Sequence, residues 1–143
     1  MIPPNHTAYV NEDIELFHHL LRNLQQPDDL ENSAWATSCL VEKKLHHQPQ
    51  LSRSQALRTV LTEILEQLAQ EAPLLADLLR GRFWEKLTVE EMRNRGRPET
   101  QSTSRFFQQQ RRALERFAAL LHAEEAQCAQ NGISISLLHR LPF

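Results

Sequence analysis

Residues 82–121 read RFWEKLTVEEMRNRGRPETQSTSRFFQQQRRALERFAALL, and this stretch decides how the rest of the chain is interpreted. Thr88 and Glu91 have the spacing of a capping box, in which the threonine hydroxyl accepts from the Glu91 amide and the carboxylate accepts from the Thr88 amide. A helix is therefore predicted to begin directly after Thr88. Gly96 and Pro98 should end it, because glycine favours the left-handed helix terminus and proline cannot continue the hydrogen-bond ladder.

A second, longer helix is predicted from about Thr103 to His122, since this interval contains no glycine or proline. Thr100, Ser102 and Ser104 are candidate N-caps for it. Apolar side chains recur at helical spacing on one face, and arginine and glutamine recur on a neighbouring face. The apolar stripe is Phe106, Ala113, Phe117 and Leu120, and the polar stripe is Arg105, Gln109, Arg112 and Arg116. A short helix, a turn and a helix with these two stripes form the sequence pattern of a helix-turn-helix.

Residues 82–92, RFWEKLTVEEM, followed by residues 111–115, RRALE, resemble region 4 of sigma factors. They are also similar to the helix-turn-helix domains at the front of some bacterial signalling NTPases and of transposon or defence proteins. The resemblance implies that the first helix supports the second, which enters the DNA major groove, while Arg80 and Arg82 face phosphates. The connection, residues 95–101, departs from the family because it is more polar and longer than the usual three to four residues.

Composition predicts an all-α fold, because the apolar residues are rich in leucine and the chain has only three glycines. We expect a small bundle of about five to six helices with the helix-turn-helix at its C-terminal end. The proposed divisions are a helical support region (1–72), a sigma region 4-like motif (73–122) and a tail or linker (123–143). No run is long and apolar enough to span a membrane and no leader is visible, so we expect a cytoplasmic protein.

Three further helices are predicted before the motif. The first is capped by Asn11 or Asp13 and ends near Gln26, and the second runs from Asp28 or Asp29 to about His46. Ser52 or Ser54 opens the third, whose core stripe is Leu57, Val60, Leu61, Ile64, Leu65 and Leu68. Pro73 then begins a new helical segment, which leads to the capping box at Thr88. After the motif, Asn131 and Gly132 are expected to stop the last helix.

Charge is distributed unevenly along the chain. From Arg80 to Arg116 there are ten lysines and arginines against five acidic residues, a local charge of +5 in a chain whose net charge is −2. A basic face on an otherwise acidic body suits a phosphate-facing surface, although charged helix faces often serve only solvation. The coincidence of charge and motif favours nucleic acid.

Catalytic and metal sites find no support in the sequence. Neighbouring histidines such as His18 and His19 point about 100° apart on a helix and cannot share one ion without further ligands. Cys39 and Cys128 lack a CxxC partner and are predicted to be buried or incidental thiols rather than a disulfide or a zinc site. The three glycines are too far apart for a nucleotide-binding loop, so neither an enzyme nor a cofactor is expected.

The leading hypothesis is a DNA-binding helix-turn-helix protein, acting as a transcription regulator or DNA-targeting subunit on double-stranded DNA. The candidate phosphate contacts are Lys86, Arg97 and Arg111, with Arg116 on the same helix; the candidate base-facing residues are Gln101, Ser102, Thr103, Arg105, Gln108, Gln109 and Arg112. The alternative is a protein adaptor in a larger bacterial assembly, with RNA polymerase or another subunit as partner. The polar turn, the acidic N-terminal helices and the apolar tail favour that alternative.

Overall fold

The computed structural model describes residues 6–95 and 102–139, and it describes side chains over 14–95 and 102–131. Its elements in chain order are α1 (His6–Arg22), α2 (Pro27–Glu31), a 3-10 turn (Ala34–Thr37), α3 (Cys39–His47), α4 (Arg53–Glu71), α5 (Pro73–Leu79), a π-turn (Arg80–Trp84), α6 (Val89–Arg95) and α7 (Thr103–His139). No strand occurs in the described residues, and the predicted all-α bundle is confirmed.

Helix α4 lies at the centre of the bundle, in contact with α2, α3, α5 and α7. It begins with a complete capping box: the Gln55 amide donates to Ser52 Oγ at 3.2 Å, and the Ser52 amide donates to Gln55 Oε1 at 2.9 Å. The predicted core stripe is confirmed, since all six of its members are buried: Leu57, Val60, Leu61, Ile64, Leu65 and Leu68. Regular spacing at threes and fours therefore placed this helix correctly.

Helix α7 forms the long edge of the bundle and packs against α1, α3, α4 and α5. Ser102 caps it, accepting a hydrogen bond from the Arg105 amide at 3.1 Å. Phe106 and Phe117 are buried, as predicted. The expected stop at residues 131–132 is wrong, because α7 continues to His139. A single glycine weakens a helix by only about 1 kcal/mol and does not forbid helical dihedral angles.

The N-terminal half departs from the predicted boundaries. Helix α1 begins at His6, ahead of the predicted caps, in a segment without proline or glycine. The single helix expected over residues 28–46 is divided by two serines: Ser33 accepts from the Trp35 amide at 3.2 Å, and Ser38 accepts from the Val41 amide at 3.4 Å. Each serine begins a new element, since a side-chain bond to the backbone competes with helix continuation.

One hydrophobic core joins the N-terminal helices to the motif. Phe17 of α1 meets Phe117 of α7 edge to face, with ring centroids 6.5 Å apart. Trp84 of the π-turn packs near Phe117 and donates from Nε1 to Thr62 Oγ1 of α4 at 3.0 Å. The proposed support region and the motif therefore share a core, which holds α7 in place along much of its length.

Candidate nucleic-acid interface

Helix α6 is the predicted supporting helix, and its start is as predicted. The Glu91 amide donates to Thr88 Oγ1 at 3.1 Å, and the Thr88 amide donates to Glu91 Oε1 at 3.4 Å, which completes the capping box. No residue of α6 is fully buried. Val89 and Met92 are half-buried against the core and supply its apolar anchors. Helix α6 is thus lightly attached to the bundle.

Gly81 leaves the space in which a side chain of α6 packs against the π-turn. It is buried in the π-turn, which is closed by a hydrogen bond from the Glu85 amide to the Arg80 carbonyl at 2.8 Å. A Cβ at this position would lie 2.3 Å from Sδ of Met92, closer than non-bonded atoms approach. The missing side chain therefore lets Met92 lie against the backbone of the turn.

Arg82 faces inward, so the expectation that it contacts phosphate is wrong. Its Nε donates to Gln110 Oε1 of α7 at 3.1 Å, and its Nη1 donates to the Leu87 carbonyl at 2.7 Å. Burial and, to a smaller extent, the charge of Arg22 lower the pKa of Arg82. The guanidinium fastens the π-turn to α7 and to the loop that precedes α6. Arg80 forms an exposed ion pair with Asp77 at 3.0 Å.

Gln110 has a structural role, in contrast to the two candidate base-facing glutamines that precede it. It is only 4 % exposed, whereas Gln108 is exposed and Gln109 is half-buried. Its position four residues after Phe106 places it on the apolar face of α7. That spacing is the sequence signal that distinguishes it from its two neighbours.

The polar face of α7 lies where the sequence predicted it. Arg105, Arg112 and Arg116 are exposed, and Gln109 is half-buried beside them. We call these four residues the Arg/Gln stripe. At 100° per residue they fall within an arc of about 60°, and from first to last they span about 16 Å of helix axis. Gln108 is exposed next to the stripe. Three arginines thus line one solvent-facing edge of a rigid helix.

Arg111 and Arg116 take part in surface ion pairs. Arg111 Nε lies 3.2 Å from Glu115 Oε1, and Arg116 Nη2 lies 3.0 Å from Glu71 Oε2. The side chains of both pairs are about half exposed. Such pairs contribute only about 0–1 kcal/mol, so an incoming phosphate can replace the carboxylate partner.

Residues at the start of α7 have structural roles beside their candidate contacts. Ser102 is the N-cap, and Thr103 Oγ1 accepts from Arg93 Nη1 at 3.1 Å, which ties α6 to α7. Lys86 is exposed, with a left-handed φ of 59°, in the loop before α6. Arg97 and Gln101 lie outside the described residues, as does the connection between the two helices. The helix-turn-helix itself therefore stays a prediction.

A groove with a volume of about 660 Å³ opens beside the Arg/Gln stripe. Apolar and polar side chains both line it: Leu74, Leu75, Leu78, Met92 and Phe106 together with Asp77, Arg80, Glu85, Arg95 and Gln109. Leu74 is 82 % exposed. An apolar patch with a polar rim is the composition of many protein–protein interfaces.

Two features are absent from the described part of the chain. It contains no group of three or more His, Cys, Asp or Glu residues placed to hold a metal ion. Nor does it contain a helix that is long and apolar enough to cross a membrane. Comparisons with protein-family models, with curated proteins and with solved structures give no match. Function is therefore inferred from the residues of this chain.

Proposed function

We propose that this protein binds double-stranded DNA through the Arg/Gln stripe of α7 and acts as a transcription regulator or DNA-targeting subunit. The observation that carries the proposal is the row of three outward arginines, Arg105, Arg112 and Arg116, on a helix held by the core. In this account α6 supports α7 in a helix-turn-helix similar to sigma factor region 4.

Electrostatics supports a phosphate-binding role for this face. Residues 80–116 carry a local charge of +5 while the remainder of the chain carries −7. The acidic body repels DNA, so this asymmetry orients the basic face toward the duplex during encounter. Each arginine that meets a phosphate releases counterions, which makes binding sensitive to salt.

The geometry of α7 also suits the major groove. A single α-helix fits there, and residues on its outward face reach base edges while flanking cations contact phosphates. Gln108 and Gln109 have side chains that can bind adenine bidentately, and Arg112 can bind guanine in the same manner. Buried Phe106 and Phe117 fix the neighbouring face of the helix, so the polar residues are presented without a cost in helix ordering.

Charge reversal tests the proposal. The double variant R105E/R112E is expected to lose binding to duplex DNA in a gel-shift assay at low salt, with unchanged helicity by circular dichroism. The matched control K43E/R58E makes the same change in net charge at exposed positions on α3 and α4. It should still bind, with at most a modest loss. Failure of the unmutated protein to bind any duplex, or equal losses in both variants, would contradict the proposal.

A second candidate function, a protein adaptor, is favoured by two large apolar side chains that are exposed at or near the groove beside α7. Leu74 is 82 % exposed and Phe107 is 47 % exposed, and both lie within residues 73–122. If the groove binds RNA polymerase, the variant L74E should lose purified polymerase in a pull-down while R105E/R112E retains it. The opposite pattern, in which only the arginine variant loses its ligand and that ligand is DNA, supports the primary proposal.

A further inference from the structure

The two cysteines of the chain meet between α3 and α7. Cys39 is the first residue of α3 and is half-buried, while Cys128 lies on α7 and is 8 % exposed. Cys39 lies close enough to Cys128 to contribute to a raised pKa of the Cys128 thiol. The spacing of the cysteines in sequence gave no sign of this, because only the fold brings the two helices together.

A carboxylate holds this junction in place. Glu125, one turn before Cys128, accepts from the backbone amide of Cys39 at 2.9 Å and from that of Leu40 at 3.0 Å. The carboxylate therefore accepts hydrogen bonds from backbone amides that have no partner within α3, and its negative charge interacts favourably with the positive end of the helix dipole. Because residues three apart share a helix face, the same contact directs Cys128 toward Cys39.

We propose that Cys39 and Cys128 are a reversible oxidation site, which forms an intramolecular disulfide with a low-molecular-weight disulfide as oxidant. The cross-link would join α3 to α7 across the bundle. This inference does not depend on DNA binding.

The exchange balances in two steps. The Cys39 thiolate attacks one sulfur of the small disulfide, breaks its S–S bond and expels one small thiolate, which leaves a mixed disulfide on Cys39. The Cys128 thiolate then attacks the Cys39 sulfur, forms the protein disulfide and expels the second small thiolate. The protein loses two electrons and the oxidant gains them, and the two protons of the protein thiols pass to the two small thiols.

Exposure assigns the two roles. Cys39 is the more accessible thiol and meets the oxidant first, whereas Cys128 is shielded and resolves the mixed disulfide. Burial, the neighbouring Cys39 thiol and the nearby Glu125 carboxylate raise the pKa of Cys128 to about 11. Little Cys128 thiolate exists near neutral pH, so ring closure is slow there and accelerates as the pH rises.

The test uses the full chain treated with oxidised glutathione under native conditions at mildly alkaline pH. The expected product is a monomer that has lost two hydrogens by intact-protein mass spectrometry and has no free thiol. Peptide mapping should show residue 39 linked to residue 128. Because the cross-link closes a long loop, the thermal midpoint should rise on the order of 10 °C and return after dithiothreitol.

Single variants keep the proposal falsifiable. C128S should accumulate a glutathione adduct on Cys39 without a change in mobility on a non-reducing gel. C39S should react slowly with oxidised glutathione, because its remaining thiol, Cys128, is shielded. The proposal fails if the unmutated protein yields only glutathione adducts or disulfide-linked dimers. It also fails if the intramolecular bond forms only after the chain is unfolded in denaturant.

Discussion

Replacing Gly81 with alanine tests how the supporting helix is held. The new Cβ would lie 2.3 Å from Sδ and 2.8 Å from Cε of Met92. Both atoms are at the end of a flexible side chain, so Met92 should rotate away at a cost of about 1–2 kcal/mol. Alanine returns about 0.5–1 kcal/mol through its helical preference. The free energy of unfolding should therefore fall by only about 0.5–1 kcal/mol.

The local effect on α6 should exceed the global one. Met92 and Val89 are the half-buried anchors of a helix with no fully buried residue. Displacing Met92 removes one of them, so amide hydrogen exchange over residues 89–95 should accelerate in G81A at a concentration of urea where the bundle is intact. Exchange in α4 should not change.

A double-mutant cycle identifies the cause. In an M92A background the space above residue 81 is vacant, so adding G81A should be neutral or slightly stabilising by urea denaturation. Equal destabilisation by G81A in both backgrounds, or unchanged amide hydrogen exchange in α6, would contradict the packing of Met92 against Gly81.

Two other predictions concern the bundle around α7. Burial and then the charges of Arg22 and Arg82 lower the pKa of His18 below 6.5, so the neutral form favours folding and stability should be lost as the pH falls below that value. The variant H18Q should therefore show a smaller decline in thermal midpoint between about pH 7.5 and about pH 5. A decline as steep as that of the unmutated protein would contradict this account of His18. Removing the carboxylate that caps α3 in E125A should lower the free energy of unfolding by roughly 1–2 kcal/mol in urea, well beyond E124A on the same helix.

Local rules predicted much of the fold because the determining interactions are short in sequence. The capping boxes at Ser52 and Thr88 join residues three apart, and the core stripe of α4 follows from helical periodicity alone. The capping boxes and the core stripe could therefore be predicted from the sequence. The two serine caps that divide residues 28–46 are also local, but an equally good periodic pattern concealed them.

The interior polar contacts could not be predicted in this way. Arginine is usually a surface residue, yet Arg82 donates a hydrogen bond to Gln110, which is 28 positions away in the sequence. Similarly, Glu125 caps a helix that begins 86 residues earlier. Such pairings depend on how helices are placed in three dimensions, and the pattern within one helix carries no information about them.

The candidate site was predictable in outline. The exposed positions of Arg105, Arg112 and Gln108 follow from their place off the apolar stripe of α7, and the structure confirms that they are exposed. The partners of Arg111 and Arg116 differ in this respect. Glu115 is four residues from Arg111 and is an expected helix pair, whereas Glu71 comes from α4 and depends on packing.

The salt dependence of binding to a random-sequence DNA duplex tests the central claim most directly. On a random-sequence duplex Arg105 and Arg112 find no specific base, so we expect them and Arg116 each to neutralise one phosphate. The logarithm of the association constant should then fall with the logarithm of salt concentration with a slope of about −3. The variant R105E/R112E should lose about two units of that slope. A slope near zero, or the same slope in the variant, would contradict binding of DNA by the outward arginines of α7.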